Sequence, residues 1–418
     1  MKTTIKDIDL KGKTVLLRVD FNVPMKDGKI IDDNRIMESL NTINYIVEHG
    51  AKLIVCSHLG RPDGKIDPEF SLKPIAERLA GLIKAPVIFA ADTVGPDAKA
   101  KAKALKPGEV LLLENLRFNP GEEANDPKFC KELAGLADIY VNDAFGTAHR
   151  KHASTYGVAA LLPNAVGFLM GKEIRAVNSL LDNPKRPFVA IMGGAKLEDK
   201  IPMLANLVKI ADKLLIGGGV SETFLKANGG KIGKSLVDKD GIDFAKKLLA
   251  ENKQKIMLPA DIIAATEFKA DSKPVKFNAG EIPDEYIDLD IGPKTIKAYT
   301  KEIKNAGTVV WNGPMGVYEF KKFSKGTAKI AQAMNRCKAF TFIGGGDTAA
   351  AVISMGYSKR INHISTGGGA SLMMLEGKTL PGVDVISDIG GKKPTAQKTE
   401  KKGAGPAVKA AGKIKSKD

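Results

Sequence analysis

Short apolar runs, each long enough for one strand, interleave along most of this chain with segments whose apolar residues fall at helical spacing. In the first half the runs Thr14–Val19, Lys52–Cys56, Val87–Phe89, Val110–Leu113 and Ile139–Val141 are interleaved with helical segments at Asn34–Glu48, Leu72–Ile83 and Pro127–Leu136. In the second half the runs are Phe188–Met192, Lys213–Ile216, Lys255–Leu258, Thr308–Trp311, Ala339–Ile343 and His363–Ser365. Continuous apolar runs are strands buried on both faces, so the pattern predicts an α/β fold of two doubly wound, parallel-sheet (Rossmann-like) domains. In such sheets ligands bind beyond the carboxyl ends of the strands.

A length of 418 residues suits two domains, and 43% hydrophobic with 27% charged residues fits a globular protein. Helical spacing from Gly167 to Asn183, followed by Pro184 and Pro187, separates the halves. The expected division is an N-terminal domain over 1–169, an interdomain helix over 170–185, a C-terminal domain over 186–379, a closing segment over 380–391 and a tail over 392–418. Ala153–Gly171 carries no charge, but Pro163, Asn164 and several glycine or hydroxyl residues interrupt it, so no membrane span is expected. The N-terminus has no apolar stretch ahead of its first charges, which argues against a signal peptide. Cys56, Cys130 and Cys337 are odd in number and widely spaced, which favours reduced thiols in a cytoplasmic protein over a disulfide framework or zinc site. Net charge is +16, but from Lys392 onward nine Lys face only Glu400 and Asp418, leaving +9 for residues 1–391. A moderately basic body suits anionic small molecules without demanding nucleic acid. The tail lacks aromatic residues and has only Val408 and Ile414 as large aliphatics, so it is expected to be disordered and at most a weak tether for polyanions.

Chemistry concentrates at the strand ends. Past the N-terminal strands stand Arg18, Asp20, Asn22 and Arg35, then His58 and Arg61, then Arg117, then His149, Arg150 and His152. Arginine forks match carboxylate and phosphate oxygens, so this edge is an anion pocket in outline. In the C-terminal half, glycines follow at least five strands, as in Gly193–Gly194, Gly217–Gly219 and Gly344–Gly346, where backbone N–H groups can approach phosphates and a flat base. FVAIMGGAKLEDKI at Phe188–Ile201 reads as strand, glycine turn and a helix from Glu198, with Lys196 and Lys200 stacked at i and i+4.

Two nucleotide motifs fail. NGGKIGKS at Asn228–Ser235 has Asn where a P-loop needs its first glycine. Gly344, Gly346 and Ala349 satisfy G-x-G-x-x-A, but His363–Gly369 supplies no acid for a ribose, and Asp347 inside the loop favours a Mg²⁺ nucleotide over NAD.

From Thr14 to Val383 the chain resembles phosphoglycerate kinases. The resemblance rests on RVDFNVP (Arg18–Pro24), SHLGRP (Ser57–Pro62), ENLRF (Glu114–Phe118), NDAFGTAHRKHAS (Asn142–Ser154), GGAKLEDKI (Gly193–Ile201), WNGPMGVYE (Trp311–Glu319), GGGDT (Gly344–Thr348) and STGGGAS (Ser365–Ser371). It implies that Asp20, Phe21, Asn22, Arg35, His58, Leu59, Gly60, Arg61, Arg117 and Arg150 hold 3-phosphoglycerate or the matching end of 1,3-bisphosphoglycerate. It implies that Lys200, Gly292, Glu319, Gly345, Gly346, Asp347 and Thr348 bind ADP or ATP, with Asp347 on Mg²⁺. Lys196 is then the lysine that meets the transferring phosphoryl group, with Arg35 and the helix start at Gly368 beside it as further charge-neutralising groups. The family likeness also implies domain closure and a monomer. Two features depart from the family pattern: GVSET at Gly219–Thr223 and the basic tail. The rival expectations are an NAD-dependent dehydrogenase built on the glycine turn, and a nucleic-acid-binding protein acting through the tail.

Overall fold

The computed structural model describes residues 1–390, so the tail expectations for Lys392–Asp418 lie outside the described residues. Two six-stranded parallel sheets form the framework. In spatial order the first contains Val87–Phe89, Val110–Leu112, Lys52–Cys56, Thr14–Arg18, Ile139–Asn142 and Asn164–Val166. The second contains Ile256–Met257, Lys213–Ile216, Phe188–Met192, Thr308–Asn312, Phe340–Gly344 and His363–Ile364. All five residues of Phe188–Met192 are buried, because helices cover both faces of the sheet. Each large apolar side chain so buried stabilises the fold by about 1.5–3 kcal/mol.

The strand order decides where a ligand can lie. In the second sheet, Phe188–Met192 is flanked by the next strand in sequence on one side and by Thr308–Asn312 on the other. The strand order therefore reverses beside it and opens a crevice at its carboxyl end, between the Gly193–Gly194 and Gly313 turns. In the first sheet the equivalent point lies between Thr14–Arg18 and Ile139–Asn142, which run in register from Val15 opposite Ile139.

Most sequence expectations for strands and helices agree with the structure to within a few residues. One difference affects the site. A 3₁₀ turn at Glu198–Lys200 precedes the α-helix Ile201–Ile210, so Lys196 and Lys200 do not share one helical face. Pro202 fixes that start, since proline lacks an N–H and sits well only in the first turn. An antiparallel sheet of Val275–Asn278, Asp261–Ala265 and Ile287–Ile291 was not anticipated.

The helix Phe168–Leu181 links the two sheets. Its first turn is tied to the first, with the Met170 N–H donating to Asp143 Oδ1 at 3.0 Å. Further along, the buried Glu173 accepts from His363 Nε2 at 2.7 Å and from the Thr366 N–H and hydroxyl at 2.8 Å, on the second. The chain then returns to the first unit: Val383 and Ile386 enter its core, and Ser387 donates its N–H to Asn164 Oδ1 at 2.8 Å.

Candidate active site

Arg18, at the end of its strand, is 1% exposed and does not face a ligand. It donates to Ser154 Oγ at 3.1 Å and lies against His58 Nδ1 at 3.2 Å. Its charge also acts on the fully buried Glu122, so Arg18 is the floor of the pocket. Above it, Asp20 forms an ion pair with Arg35 and approaches His58 Nδ1 at 3.8 Å. Asn22 accepts the Gly60 N–H at 2.9 Å, and Gly60 in turn accepts from Arg117 Nη1. Gly60 has φ of +59°, and a Cβ there would overlap the Phe70 ring, so both conformation and space call for glycine.

Asn115, which sequence reasoning did not single out, organises this edge. Its side chain accepts the Leu59 and Arg117 N–H groups at 3.2 and 3.0 Å and donates to the Leu59 and Phe70 carbonyls at 2.7 and 2.9 Å. Its place within ENLRF was the available signal.

A cleft of about 320 Å³ is lined by Asp20, Asn22, Arg35, His58, His149 and Arg150 on one side and by Ser365 to Gly369 on the other. Arg117 lies just beneath, paired with Glu123 at 3.3 Å, and feels the charges of Arg150 and the exposed Arg61. Phe21 and Leu59 are buried and do not line this cleft. The positive field is visible in its histidines. Burial, then Arg18, Arg117, Arg150 and Arg35, hold His58 well below the usual histidine range. Burial and Arg150 lower His149, and burial followed by the same arginine pushes His152 down to about 4. A pocket that refuses protons in this way is short of negative charge, which an anionic ligand supplies.

The second cleft, about 400 Å³, is lined by Gly194, Lys196, Lys200, Asn312, Gly313 and Gly345 to Thr348. Gly345 has φ of +90° ahead of the helix Gly346–Ser354, and a Cβ there would come within 2.6 Å of the Asn312 amide nitrogen. Thr348 accepts the Gly313 N–H at 2.7 Å and so locks the two glycine turns together. Asp347 stands in the first helical turn, where the backbone N–H groups point into the cleft. Burial lowers Lys200 below the usual lysine range, while Asp199 and then Asp347 pull it back up. Lys196 is exposed and pairs loosely with Glu198 at 3.6 Å.

The two clefts share Gly346, so the basic pocket and the glycine-lined cleft form one trough. A third cleft, sharing Gly194, Ala195, Pro314 and Asp347, extends it past Glu319. Gly292 lines none of the three. It precedes the helix Pro293–Asn305, and a Cβ on it would overlap the Asp261 carboxylate, which accepts the Lys294 and Thr295 N–H groups at 3.0 and 2.8 Å. Helix capping accounts for that glycine. Gly368, with φ of +37°, lines the shared cleft opposite Arg35 and His149.

A family model described as phosphoglycerate kinase matches residues 5–378. The phosphoglycerate kinase of Moorella thermoacetica is 53% identical over 390 residues, covering 93% of this chain and 99% of that one. That of Roseiflexus castenholzii is 54% identical over 392 residues, covering 93% and 99%. Among solved structures, the phosphoglycerate kinase of Coxiella burnetii superposes with a TM-score of 0.85 at 42% identity, covering 92% of this chain and 98% of that one. That of Pyrococcus horikoshii gives 0.77 at 35% identity, with 91% and 98% covered. With two parallel sheets, a basic pocket and a glycine-lined cleft joined in one trough, and relatives of this identity and coverage, the chain belongs to the phosphoglycerate kinase family.

Proposed function

We propose that the trough seats the two substrates end to end, with the phosphoglycerate in the arginine pocket and the nucleotide phosphates along Gly345–Thr348. The enzyme is a phosphotransferase of glycolysis that moves a phosphoryl group between 1,3-bisphosphoglycerate and ADP, giving 3-phosphoglycerate and ATP. The observation that carries this seating is that the two clefts meet at Gly346.

The acceptor in each direction is already anionic, a carboxylate one way and a phosphate oxygen the other, so no general base is required. What the chain must do is align two anions and neutralise the charge that builds on the moving phosphoryl group. Arg35, Arg117 and Arg150 hold the phosphoglycerate, with Asp20 and Asn22 orienting it. Lys200, Thr348 and the N–H groups at Gly345 and Gly346 hold the nucleotide phosphates, and Glu319 lies further along toward the ribose. Lys196 and Arg35, from opposite sides of the shared Gly346, together with the N–H groups beyond Gly368, neutralise the group in flight.

Among the described residues no three His, Cys, Asp or Glu cluster to hold a metal. Asp347 faces the phosphate cleft from the start of the helix Gly346–Ser354, with Asp199 as the other carboxylate in its lining, and one or two carboxylates together with phosphate oxygens suit Mg²⁺. We read Asp347 as the residue that would hold Mg²⁺ at the nucleotide phosphates, where the ion would neutralise their charge.

Substrates held on opposite units call for closure about the helix Phe168–Leu181, which expels water from the transfer path. Three free cysteines, two of them buried, accord with a reducing cytoplasm, and the family likeness with a monomer. The basic tail is read as a weak polyanion tether. Neither the dehydrogenase reading nor nucleic-acid binding as the principal function gains support from the family match.

The test is ATP formation from 1,3-bisphosphoglycerate and ADP in a coupled assay, with calorimetry on Asp347→Ala. That variant is expected to lose Mg·ADP affinity and keep 3-phosphoglycerate binding. Equal loss of both ligands would defeat the separate seating.

A further inference from the structure

The cleft that extends the trough past Glu319 has walls from elements far apart in the chain. Gly218, Gly219 and Glu222 come from the helix Gly218–Ala227, and Ile287, Asp288 and Leu289 from the strand Ile287–Ile291. The strand is tied onward, since the Leu289 carbonyl accepts the Val317 N–H at 2.8 Å, and Val317 lines the same cleft beside Glu319. A shift of the strand against the helix therefore reshapes the cleft from Gly218 to Glu319.

What joins the two walls is a pair of acids. Glu222 is 1% exposed, and its carboxyl group hydrogen-bonds to that of Asp288. The Ser235 hydroxyl bridges them, accepting the Asp288 N–H at 2.9 Å and donating to Glu222. Two carboxylates have no hydrogen to offer each other, so their contact exists only while one of them carries a proton. The surroundings favour keeping it: burial raises Glu222, and burial followed by the Glu222 charge raises Asp288 well above the usual carboxylate range. Asp290, further along the strand, is another acid acting on Asp288, while Lys325 from the helix Lys325–Arg336 acts on Asp290. Across the sheet the residue opposite Asp288 is Ala264, and Lys234, beside Ser235, is exposed. The next acid on that loop, Asp238, donates its N–H to the Thr223 hydroxyl at 3.0 Å.

Resting on the seating of the nucleotide given above, we propose that Glu222 and Asp288 are a proton-held clamp between the helix and strand walls, and that the nucleotide loses affinity when the shared proton leaves. With the proton in place one carboxyl donates to the other and the walls are held together. Once it passes to solvent, two buried negative charges face each other and push the strand carrying Leu289 away from the helix. Because both acids are raised in the folded chain, the folded state keeps a proton that the unfolded chain releases. Stability therefore falls as pH rises from the ordinary carboxylate range through the raised values.

Glu222→Gln tests this, because its amide N–H donates to an ionised Asp288 and does not titrate. Dissociation constants for Mg·ADP and for 3-phosphoglycerate are measured by calorimetry in the wild type and the variant, from about pH 6 to about pH 9. Taking the wild-type to variant ratio at each pH cancels the ionisation of the ligand itself. The ratio for Mg·ADP is expected to rise at least about threefold over that range, and that for 3-phosphoglycerate to stay within about twofold. In the ligand-free proteins, the melting temperature of Glu222→Gln is expected to exceed that of the wild type by a margin that widens with pH. Asp288→Asn puts the amide on the other side of the contact and is expected to behave alike, should Glu222→Gln fail to fold.

A Mg·ADP ratio that stays flat overturns the proposal even where the melting difference widens, since the pair then holds the fold without bearing on the nucleotide. Equal rises for both ligands also overturn it, as the mark of general loosening. Lys200→Ala separates the two levels and is expected to weaken Mg·ADP. If it does not, the seating of the nucleotide fails and the clamp's bearing on it falls too. If it does while the Mg·ADP ratio stays flat, the clamp alone fails.

Discussion

Lys196 and Lys200 illustrate how two like residues four positions apart come to different duties. Lys200 is partly buried and feels Asp347, so its charge is spent on a resident site. Lys196 is exposed and paired loosely with Glu198 at 3.6 Å, which suits the role proposed for it at the transferring phosphoryl group. Lys196→Ala is therefore expected to lower kcat by about 10²–10³ with little change in KM. A raised KM at unchanged kcat, measured at steady state, would assign it to substrate binding instead. The histidines of the arginine pocket carry a second expectation. Burial and arginine charge keep His149 and His152 neutral below the pH at which a free histidine charges, with His152 down to about 4. An anion bound among those arginines cancels part of their field, so 3-phosphoglycerate is expected to raise both histidines toward the usual range. Histidine ring resonances followed through a pH titration with and without 3-phosphoglycerate read this directly, and midpoints that do not rise with the ligand would contradict it.

Between elements, the turn at Gly193 shows why the strand Phe188–Met192 can serve as the centre of its sheet. A Cβ on Gly193 would lie 2.2 Å from the Pro314 carbonyl oxygen and 2.6 Å from that of Gly313, so backbone meets backbone where the two turns form the crevice. The helix Phe168–Leu181 depends on one buried acid in a comparable way. Burial pushes Glu173 up, but hydrogen bonds from His363 and Thr366 outweigh it and hold its carboxyl below the usual range. Its contribution is thus present above a carboxylate's ordinary 4.5 and lost as pH falls through the depressed folded value. Glu173→Gln keeps the shape but weakens three hydrogen bonds, and is expected to reduce stability by about 1–3 kcal/mol at pH 7. Urea unfolding measures this, and the difference from wild type is expected to shrink in acid as the native glutamate protonates. A constant difference across that range would show that the charge of Glu173 is immaterial.

For the whole molecule, the return of the chain to its starting unit matters more than the linear division suggests. Residues near Val383 and Ile386 help fill the core built by the first half, and the Ser387 carbonyl accepts the Thr3 N–H at 2.8 Å. Within the described residues the chain is thus back on its first unit by Ser387, ahead of the nine lysines that follow in sequence. Truncation after Gly391 is expected to leave kcat and Tm unchanged while polyanion binding becomes weaker and less dependent on salt. Lost activity in the truncated enzyme would mean that the tail acts on the body. What the sequence by itself determined was the alternation of strand and helix, the positions of the arginines and glycines past the strands, and the family. Those are local: period, turn chemistry and motif spacing are written in neighbouring residues. Strand order, Arg18 as floor rather than wall, the capping role of Gly292 and the antiparallel sheet behind Asp288 were decided only in the tertiary structure. Each depends on which distant strands become neighbours, and so on the packing of apolar faces far apart in the chain. For the same reason the pairing of Glu222 was invisible in GVSET: its neighbour Asp288 stands 66 positions away and is brought opposite it by the fold.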